Sequence, residues 1–386
     1  MIESRWSDDR FLDSLRRQTD PLADSTVAAL EREGGIAAVN RLFGTLHADE
    51  RAIPEDAPEP FREFVVATRT PLSDLNPKRL DQGGAVFLRH GFSSAVVLLL
   101  ASLPAGYSAP CLSRILSVSG DLGAHPYKRL MGVLQLLVDI SQARAFRPGG
   151  AAAVAAQKMR LLHAGVRRVV PSHRPGYSEK YGPVVNHEDM LATIMGFSWL
   201  VIHGLRTLGA GLKPQEEEDF YYLWHSFARM MGIHPEGQPQ DASMVPATVA
   251  EAGEFYTAYT RRHYVGAEAN PDGVALSRIN LAMVKSLVPW WARLLGLGVL
   301  PRLLMTELLG DEGMRRVDIR PVSGHRFLGA SFSRLLRVFQ DISDHCPRHL
   351  GEQLGRLVFQ DMIDVSRGGE VNFLVPDSLA AMRELA

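Results

Sequence analysis

The fold class is decided by the stretch Asn186-His-Glu-Asp-Met-Leu-Ala-Thr-Ile-Met-Gly-Phe-Ser-Trp-Leu-Val-Ile-His-Gly-Leu-Arg-Thr-Leu208. Asn186 followed by acidic residues is typical of a helix start, because the Asn side chain caps free backbone N–H groups and the helix dipole favours negative charge there. From Met190 to Ile202 almost every residue is apolar. This pattern predicts one helix over 186–208 that is buried on all sides, and such a helix needs other helices around it.

The rest of the chain repeats this helical pattern. Apolar residues recur at three- and four-residue spacing along most of the 386 residues, whereas the strict alternation of a β-strand is scarce, which predicts an all-α protein. Asp20-Pro21 is a further helix start, and it predicts a short helix over Leu22–Arg32 that ends before Gly34-Gly35. No change in composition divides the chain, so we expect a single large helical domain with terminal helical extensions.

Composition excludes several classes of protein. The chain has 42 Lys and Arg against 43 Asp and Glu, so it lacks the basic excess that binds nucleic acid. With two cysteines and no CxxC or CxxCH motif, we expect neither a zinc site of that kind nor a covalently attached haem. No nucleotide-binding GxxxxGK[ST] or GxGxxG motif occurs, and neither GxSxG nor HExxH is present. The polar first twenty residues lack the apolar core of a signal peptide, which predicts a cytoplasmic protein.

The longest apolar stretches are too short or too interrupted to predict a transmembrane helix. One of them, Leu287–Leu304, pairs Trp290 and Trp291 with flanking arginines. This combination is typical of segments that lie in a membrane interface, so peripheral membrane contact through 287–304 is one interpretation. A buried core helix is the simpler one.

The helix Lys158–Arg168 carries the first candidate site. Arg160, His163, Ala164 and Arg167 lie at i, i+3, i+4 and i+7 and therefore share one helical face. The guanidinium groups could bind a carboxylate or phosphate, and the imidazole could ligate a metal or transfer a proton. The alternative is a solvated, arginine-rich face with His163 at its boundary.

Two further candidates are histidines on apolar helices. Met195 and His203 lie on one stripe of the predicted 186–208 helix, but eight residues separate them, a rise of about 12 Å, so they cannot bind one metal from the same side. A core methionine with a boundary histidine is the alternative. His225 lies among aromatic residues, where a hydrogen-bonded core histidine is the alternative to a ligand.

Several motifs, in matching order, resemble those of the latex clearing proteins and of the wider group of MpaB-type oxygenases. They are Asp20-Pro-Leu-Ala-Asp24, Ser102-Leu-Pro-Ala-Gly-Tyr107, Arg147-Pro-Gly-Gly150, Met159-Arg-Leu-Leu-His-Ala-Gly-Val-Arg-Arg168, Thr193-Ile-Met-Gly-Phe197 and Met362-Ile-Asp-Val-Ser-Arg-Gly-Gly369 with Phe373-Leu-Val-Pro376. The resemblance implies an all-helical fold with a globin-like core that holds a non-covalent haem b. It also implies the use of dioxygen to cleave carbon–carbon double bonds of polyisoprene or of a smaller prenyl chain.

Within one domain over 1–386, we therefore expect an N-terminal extension over 1–80, a haem-binding core over 81–235 and a C-terminal helical part over 236–386. By the resemblance, Arg160 takes the position of the family's essential arginine, and Arg160 and Arg167 anchor the haem propionates. His163 stands where rubber-cleaving members have a lysine, and Ala164 stands where they have a threonine. Met195 replaces the family's proximal histidine, and Arg147 replaces an acidic residue.

This pattern leaves the iron ligand open between Met195 with His163, His163 alone, and His203. We predict a haem-b-dependent oxygenase, or a peroxidase-like oxidoreductase, that acts on a hydrophobic, unsaturated or isoprenoid small molecule, with His163 and Arg160 as catalytic residues. The redox partner cannot be identified from the sequence. The alternative is a helical protein that binds haem or an apolar ligand without turnover, because the proximal histidine is missing.

Overall fold

The computed structural model describes residues 4–46, 53, 56–69, 72–118, 126–234, 243–288, 290–294 and 296–322. Throughout these residues the regular structure is helical and no strand occurs, so the predicted all-α class is confirmed. The α-helices in chain order are α1 (Asp9–Arg16), α2 (Pro21–Thr45), α3 (Glu59–Arg69), α4 (Pro77–Arg89), α5 (Gly91–Val97), α6 (Leu103–Tyr107), α7 (Pro110–Val118), α8 (Pro126–Ser141), α9 (Ala151–His173), α10 (Tyr177–Tyr181), α11 (His187–Phe197), α12 (Trp199–Thr207), α13 (Pro214–Met230), α14 (Val249–His263), α15 (Pro271–Ser286), α16 (Trp290–Leu294) and α17 (Leu300–Arg316).

Short helical turns complete the architecture. A π-helical turn over Leu98–Ser102 joins α5 to α6, and 3₁₀ turns cover Arg5–Ser7, Ala267–Ala269 and Leu297–Val299. The C-terminal motif at Met362–Gly369 lies outside the described residues, and the proposed boundaries at 80 and 235 stay a prediction.

Helix starts follow the capping residues in the sequence. The Asn186 side chain accepts a hydrogen bond from the Asp189 backbone N–H (2.9 Å), as predicted, and Thr248 accepts one from Glu251 (3.2 Å). Asp20 accepts from the Ala23 N–H (3.2 Å) at the start of α2. These bonds satisfy N–H groups that have no partner within the helix.

The predicted single helix over 186–208 is wrong. It is broken at Ser198, whose backbone (φ −112°, ψ −79°) leaves the helical conformation while its hydroxyl donates to the Ile194 carbonyl (2.7 Å). A serine that bonds back to the preceding turn often bends a helix, and here it separates α11 from α12. Burial on all sides is also wrong, because Thr193 and His203 are exposed.

The predicted end of α2 is wrong as well. The helix continues through Gly34-Gly35 to Thr45 instead of stopping at Arg32. Glycine inside a helix costs only about 1 kcal/mol relative to alanine, and the burial of Leu42 further along α2 favours continuation.

Two glycines let three helices approach closely. A Cβ atom on Gly83 of α4 would lie 2.2 Å from the Asp219 carbonyl oxygen of α13, and one on Gly84 would lie 2.2 Å from the Ser141 carbonyl oxygen of α8. Real side chains cannot occupy such positions, so these glycines set the spacing of α4, α8 and α13.

The core has a large main part and a smaller N-terminal part. The main part buries aromatic side chains such as Trp6, Phe87 and Trp224. The smaller part lies where α2, α3 and α9 meet, and it includes Phe61 and Ala164. The N-terminal residues are therefore packed against α9, and they contribute directly to the candidate site.

Within the described ranges, no single helix is long and apolar enough to cross a membrane. The pair Pro77–Arg89 and Gly91–Tyr107 meets the length and composition requirements only when taken together, and it is bent by 81°.

Candidate functional site

The predicted polar face of α9 exists, but it packs against the start of α2 instead of facing solvent. Arg160 is buried, and it donates two hydrogen bonds to Asp20, from Nε to Oδ2 (2.6 Å) and from Nη2 to Oδ1 (2.8 Å). Gly232, at φ +82° after α13, covers this pair, because a Cβ there would lie 3.1 Å from the Arg160 guanidinium and from Asp20 Oδ2. A solvated arginine face is thus the wrong interpretation of the spacing.

The charge of Asp20 is stabilised inside the protein. Burial alone would raise the pKa of its carboxyl, but the hydrogen bonds and positive charge of Arg160 hold that pKa below its ordinary value. Asp20 is therefore ionised at neutral pH, and the Arg160–Asp20 pair is a buried ion pair.

Arg167 makes a second, less complete pair one helical repeat further along α9. Its Nε donates to Asp24 (2.7 Å) and its Nη1 to the Val185 carbonyl (3.2 Å), whereas its buried Nη2 has no hydrogen-bond partner. Burial raises the pKa of Asp24 above its ordinary value, against the lowering effect of Arg167. One N–H-bearing nitrogen of Arg167 thus remains available to an acceptor.

His163 lies between these two arginines on the same face. The residue as a whole is half-buried, but its Nδ1 atom is buried and has no hydrogen-bond partner. Burial lowers the pKa of His163 to about 3, and the positive charge of Arg167 adds to the effect while Asp20 opposes it. His163 is therefore neutral at physiological pH, which is the form of imidazole that ligates a metal or accepts a proton.

His187 is a member of this site that the sequence analysis missed. It is the first residue of α11, its backbone N–H donates to the Gln18 carbonyl (3.0 Å), and it is only 1% exposed. Neither ring nitrogen makes a hydrogen bond of good geometry. Burial lowers the pKa of His187 to about 4, against the opposing charge of Asp20, and the Thr19 carbonyl acts on the ring only weakly. The sequence showed His187 only as part of a helix start.

We call this group the Asp20 cluster. Its members lie where the start of α2, the polar face of α9 and the start of α11 meet. Its residues are Asp20, Asp24, Arg160, His163, Arg167 and His187. Three of its side chains bury polar atoms without partners, each of which costs about 1–3 kcal/mol. Unsatisfied buried groups are uncommon in native proteins, so the cluster has the chemistry of a site that receives a polar or metal-containing group.

The other predicted ligands lie elsewhere. Met195 is fully buried in the main core. His203 is exposed on α12, where it stacks on Trp199 with ring centroids 5.3 Å apart, and both burial and Arg206 lower its pKa. The surroundings of His203 therefore differ from those of His163. The break at Ser198 places Met195 and His203 on separate helices.

His225 is a hydrogen-bonded core histidine, since its Nδ1 lies 2.9 Å from the Pro246 carbonyl oxygen. In the part of the chain that the structure describes, no group of three or more His, Cys, Asp or Glu side chains could hold a metal ion by itself.

A second buried polar cluster lies on the opposite side of the start of α11. Arg16 of α1 donates to Glu188 (2.5 Å) and Asp189 (2.7 Å), both of which are essentially unexposed. Tyr259 donates to Asp189 (2.8 Å), and Arg262 and His263 lie 3.1 and 3.0 Å from Glu188. We call this group, together with Cys111 at 3.4 Å from Asp189, the Arg16 network.

The Arg16 network keeps the Glu188 carboxylate charged. Burial alone would raise the pKa of Glu188, but the hydrogen bond from His263 and the charges of Arg16 and Arg262 lower it. Burial raises the pKa of the Cys111 thiol, so this cysteine is inert. The sequence analysis did not find this network, because its members come from distant parts of the chain.

The fold and the Asp20 cluster define a class of protein, an all-helical domain in which one long helix carries a buried face with two arginines and a histidine. The model of the family described as ER-bound oxygenase mpaB/B'/Rubber oxygenase, catalytic domain, matches residues 86–340, and the chain belongs to this family.

Individual proteins agree with the family match. A rubber oxygenase of Streptomyces sp. (strain K30) is 26% identical over 295 residues, which cover 76% of this chain and 69% of that protein. The structure of a latex clearing protein, LCP, in its closed state superposes with a TM-score of 0.72 at 21% identity, covering 90% of both chains. The resemblance to the latex clearing and MpaB-type proteins is therefore confirmed.

Proposed function

We propose that this protein is an oxygenase that acts on a hydrophobic, unsaturated isoprenoid compound, with non-covalent haem b as cofactor and dioxygen as co-substrate. Membership of an oxygenase family supports the reaction class, and the name of the rubber oxygenase supports the substrate class. The observation that carries the haem proposal is the buried, unpartnered Nδ1 of the neutral His163, between Arg160 and Arg167.

The residues present fit a haem group, although not in the manner that the sequence alone suggests. His163 would hold the haem iron through its free imidazole nitrogen, and Arg167 would bind a haem propionate through Nη2. Arg160 has both Nε and Nη2 bound to Asp20, so while this pair persists it would bind a propionate through Nη1 alone. Met195 and His203 are secondary ligand candidates, the first buried in the main core and the second exposed.

When bound, the haem iron supplies dioxygen binding and activation. The protein supplies the surroundings. If His163 is not the ligand, its neutral ring can form a hydrogen bond with a reacting group, but its low pKa makes it a weak base. Arg160 keeps Asp20 ionised, and Asp20 in turn balances the charge of the arginines beside His163.

A second candidate function is the binding of haem or an apolar ligand without turnover. Two observations favour binding without turnover. Met195 is fully buried where the resemblance implies a proximal histidine, and Arg160, at the position of the family's essential arginine, is already paired with Asp20. Oxygen consumption with substrate distinguishes the two candidates.

The visible spectrum of the purified protein, before and after reconstitution with hemin, tests the haem proposal. We expect a Soret band that shifts on reduction and again on addition of CO. A His163→Ala variant should shift or lose the band, whereas His225→Ala, which alters a core histidine that bonds to a carbonyl, should not. A protein that stays colourless after reconstitution would defeat the proposal.

The substrate class is tested by oxygen uptake with a short isoprenoid hydrocarbon, its fully saturated analogue and polyisoprene. Uptake and carbonyl products with an unsaturated compound alone support an oxygenase that cleaves double bonds. Haem binding without uptake for any of them supports the second candidate. Location in the cytoplasm stays a prediction, so both small and polymeric substrates belong in this test.

A further inference from the structure

The exposed hydrophobic side chains of this protein are concentrated in one short segment. Nine large hydrophobic residues are exposed among those the structure describes, and six of them lie within 287–299. They are Leu287 (46% exposed), Trp290 (72%), Trp291 (54%), Leu294 (78%), Leu297 (44%) and Val299 (40%), and we call them the Trp290 surface. Single exposed hydrophobic residues are ordinary, but such a cluster marks an interaction site.

The segment is held in place at both ends. Leu281 and Met283 of α15 are buried before it, and Leu303 and Leu304 of α17 are buried after it. Within it, the Arg293 Nε donates to the Val288 carbonyl (2.8 Å). The exposed apolar side chains are therefore flanked on both sides by helices that pack in the core.

The charged residues that flank the Trp290 surface in the sequence are all basic. Between Asp272 and Glu307 the sequence contains no acidic residue, although the whole chain has a net charge of −1. This interval contains the basic residues Arg278, Lys285, Arg293 and Arg302. Among the described residues, Arg278 at the start of this interval forms an ion pair with Asp318, and no such pair is seen there for Lys285, Arg293 or Arg302. An anionic partner is favoured by this arrangement.

We propose that the Trp290 surface binds the interface of a phospholipid bilayer that contains anionic lipid. Tryptophan and leucine side chains insert at the level of the headgroups, and basic residues nearby are attracted to anionic lipids by about 1 kcal/mol each. A contact between protein copies would also cover the apolar residues, but it gives no use to the basic residues that flank them. The inference does not depend on haem or on turnover.

Vesicle flotation of the full chain, without added hemin, tests this proposal. The probes are vesicles of phosphatidylcholine alone and of phosphatidylcholine with about 30% phosphatidylglycerol, a composition within the range where surface charge attracts basic residues. We expect binding to the anionic vesicles, weaker binding to the neutral ones, and a loss of binding as salt is raised.

Two variants and a control make the result specific. Trp290→Ser with Trp291→Ser should reduce the bound fraction at least about tenfold, because two interfacial anchors are lost. Lys285→Gln with Arg302→Gln should reduce binding to anionic vesicles only. Phe92→Ser removes an exposed aromatic residue elsewhere and should bind like the parent protein. Circular dichroism verifies that each variant is folded.

Three outcomes would overturn the proposal. They are no binding of the folded parent protein to anionic vesicles, equal binding by the double tryptophan variant, and a change of oligomeric state in that variant without any loss of vesicle binding. The last would assign the surface to contacts between copies. Failure here would leave the haem spectrum unaffected, so it is distinguishable from failure of the proposed function.

Discussion

The Asp20 cluster and the Arg16 network are built from similar parts but differ in completeness. Each ties an N-terminal residue to a distant helix through buried ion pairs, Asp20 to Arg160 of α9 in one and Arg16 to Glu188 and Asp189 of α11 in the other. In the Arg16 network none of the member side chains has a buried polar atom without a partner, whereas three side chains of the Asp20 cluster do.

This difference separates structural from functional polar groups. A buried charge that is fully paired contributes to the specificity of the fold but offers nothing to a ligand. A buried nitrogen without a partner costs stability, and it is retained where it serves another purpose. By this criterion the Asp20 cluster, and not the larger Arg16 network, is the candidate site.

The largest effect is expected from Arg16→Met. The substitution leaves Glu188 and Asp189 buried beside each other without the positive charge of Arg16. It should lower the free energy of unfolding by about 3–5 kcal/mol. Urea denaturation measures the loss. Arg261→Ala, which breaks only an exposed pair with Asp9, is the control and should be indistinguishable from the parent. Equal effects would mean that the Arg16 network is not a stabilising unit.

Next in size is Asp20→Asn, which removes the negative partner of the buried Arg160. We expect a loss of about 2–4 kcal/mol, because an unpaired guanidinium then stays buried. In the double variant with Arg160→Met most of this loss should be recovered, and a double-mutant cycle measures the coupling. Additive losses would show that the two groups do not act as a pair.

The pH dependence of stability distinguishes His187 from the carboxylates. Its folded pKa of about 4 lies below the ordinary value of 6.5, so between these values the unfolded chain binds a proton that the folded chain does not. Stability from this group is complete above about pH 6.5 and is lost as the pH falls toward 4, by at most about 3 kcal/mol. Unfolding midpoints of His187→Leu at pH 7 and pH 5 should differ less than those of the parent. The same acid loss in both proteins would exclude His187 as its source.

No loss of stability is expected from His163→Leu. Since His163 Nδ1 has no partner to lose and its burial is unfavourable, the free energy of unfolding should stay the same or rise by about 1–3 kcal/mol. Tyr259→Phe in the Arg16 network removes a hydrogen bond to the buried Asp189 and should cost about 1–3 kcal/mol. Thermal unfolding of both apoproteins compares them. A large loss for His163→Leu would mean that its imidazole is structural.

Local patterns predicted some features of the site and not others. The shared face of Arg160, His163 and Arg167 followed from helical spacing, because the helix is regular there. The partners of these residues, Asp20 and Asp24, lie about 140 residues earlier in the chain, and no periodicity connects them. The resemblance placed Asp20 and Arg160 in the same family pattern, but it did not indicate that they bind each other.

The break at Ser198 shows the same limit for the fold. The apolar run from Met190 to Ile202 is compatible with a straight helix and with two helices at an angle, and only packing against the neighbours decides between them. Close approach of Gly204 to Val97, where a Cβ would lie 2.5 Å from the valine side chain, is one such contact. The sequence showed a hydrophobic helix, but it did not show that this helix is interrupted at Ser198.

The long-range contacts of residues 6–24 also affect how the chain folds during synthesis. Residues 6–24 leave the ribosome well before their partners, because Asp20 pairs with Arg160, Arg16 with Glu188 and Trp6 with Glu251, at separations of 140, 172 and 245 residues. Helical proteins usually fold rapidly because their contacts are local, and such distant pairings slow the search. Residues 6–24 are therefore made before their partners but reach their final positions only after those partners have folded.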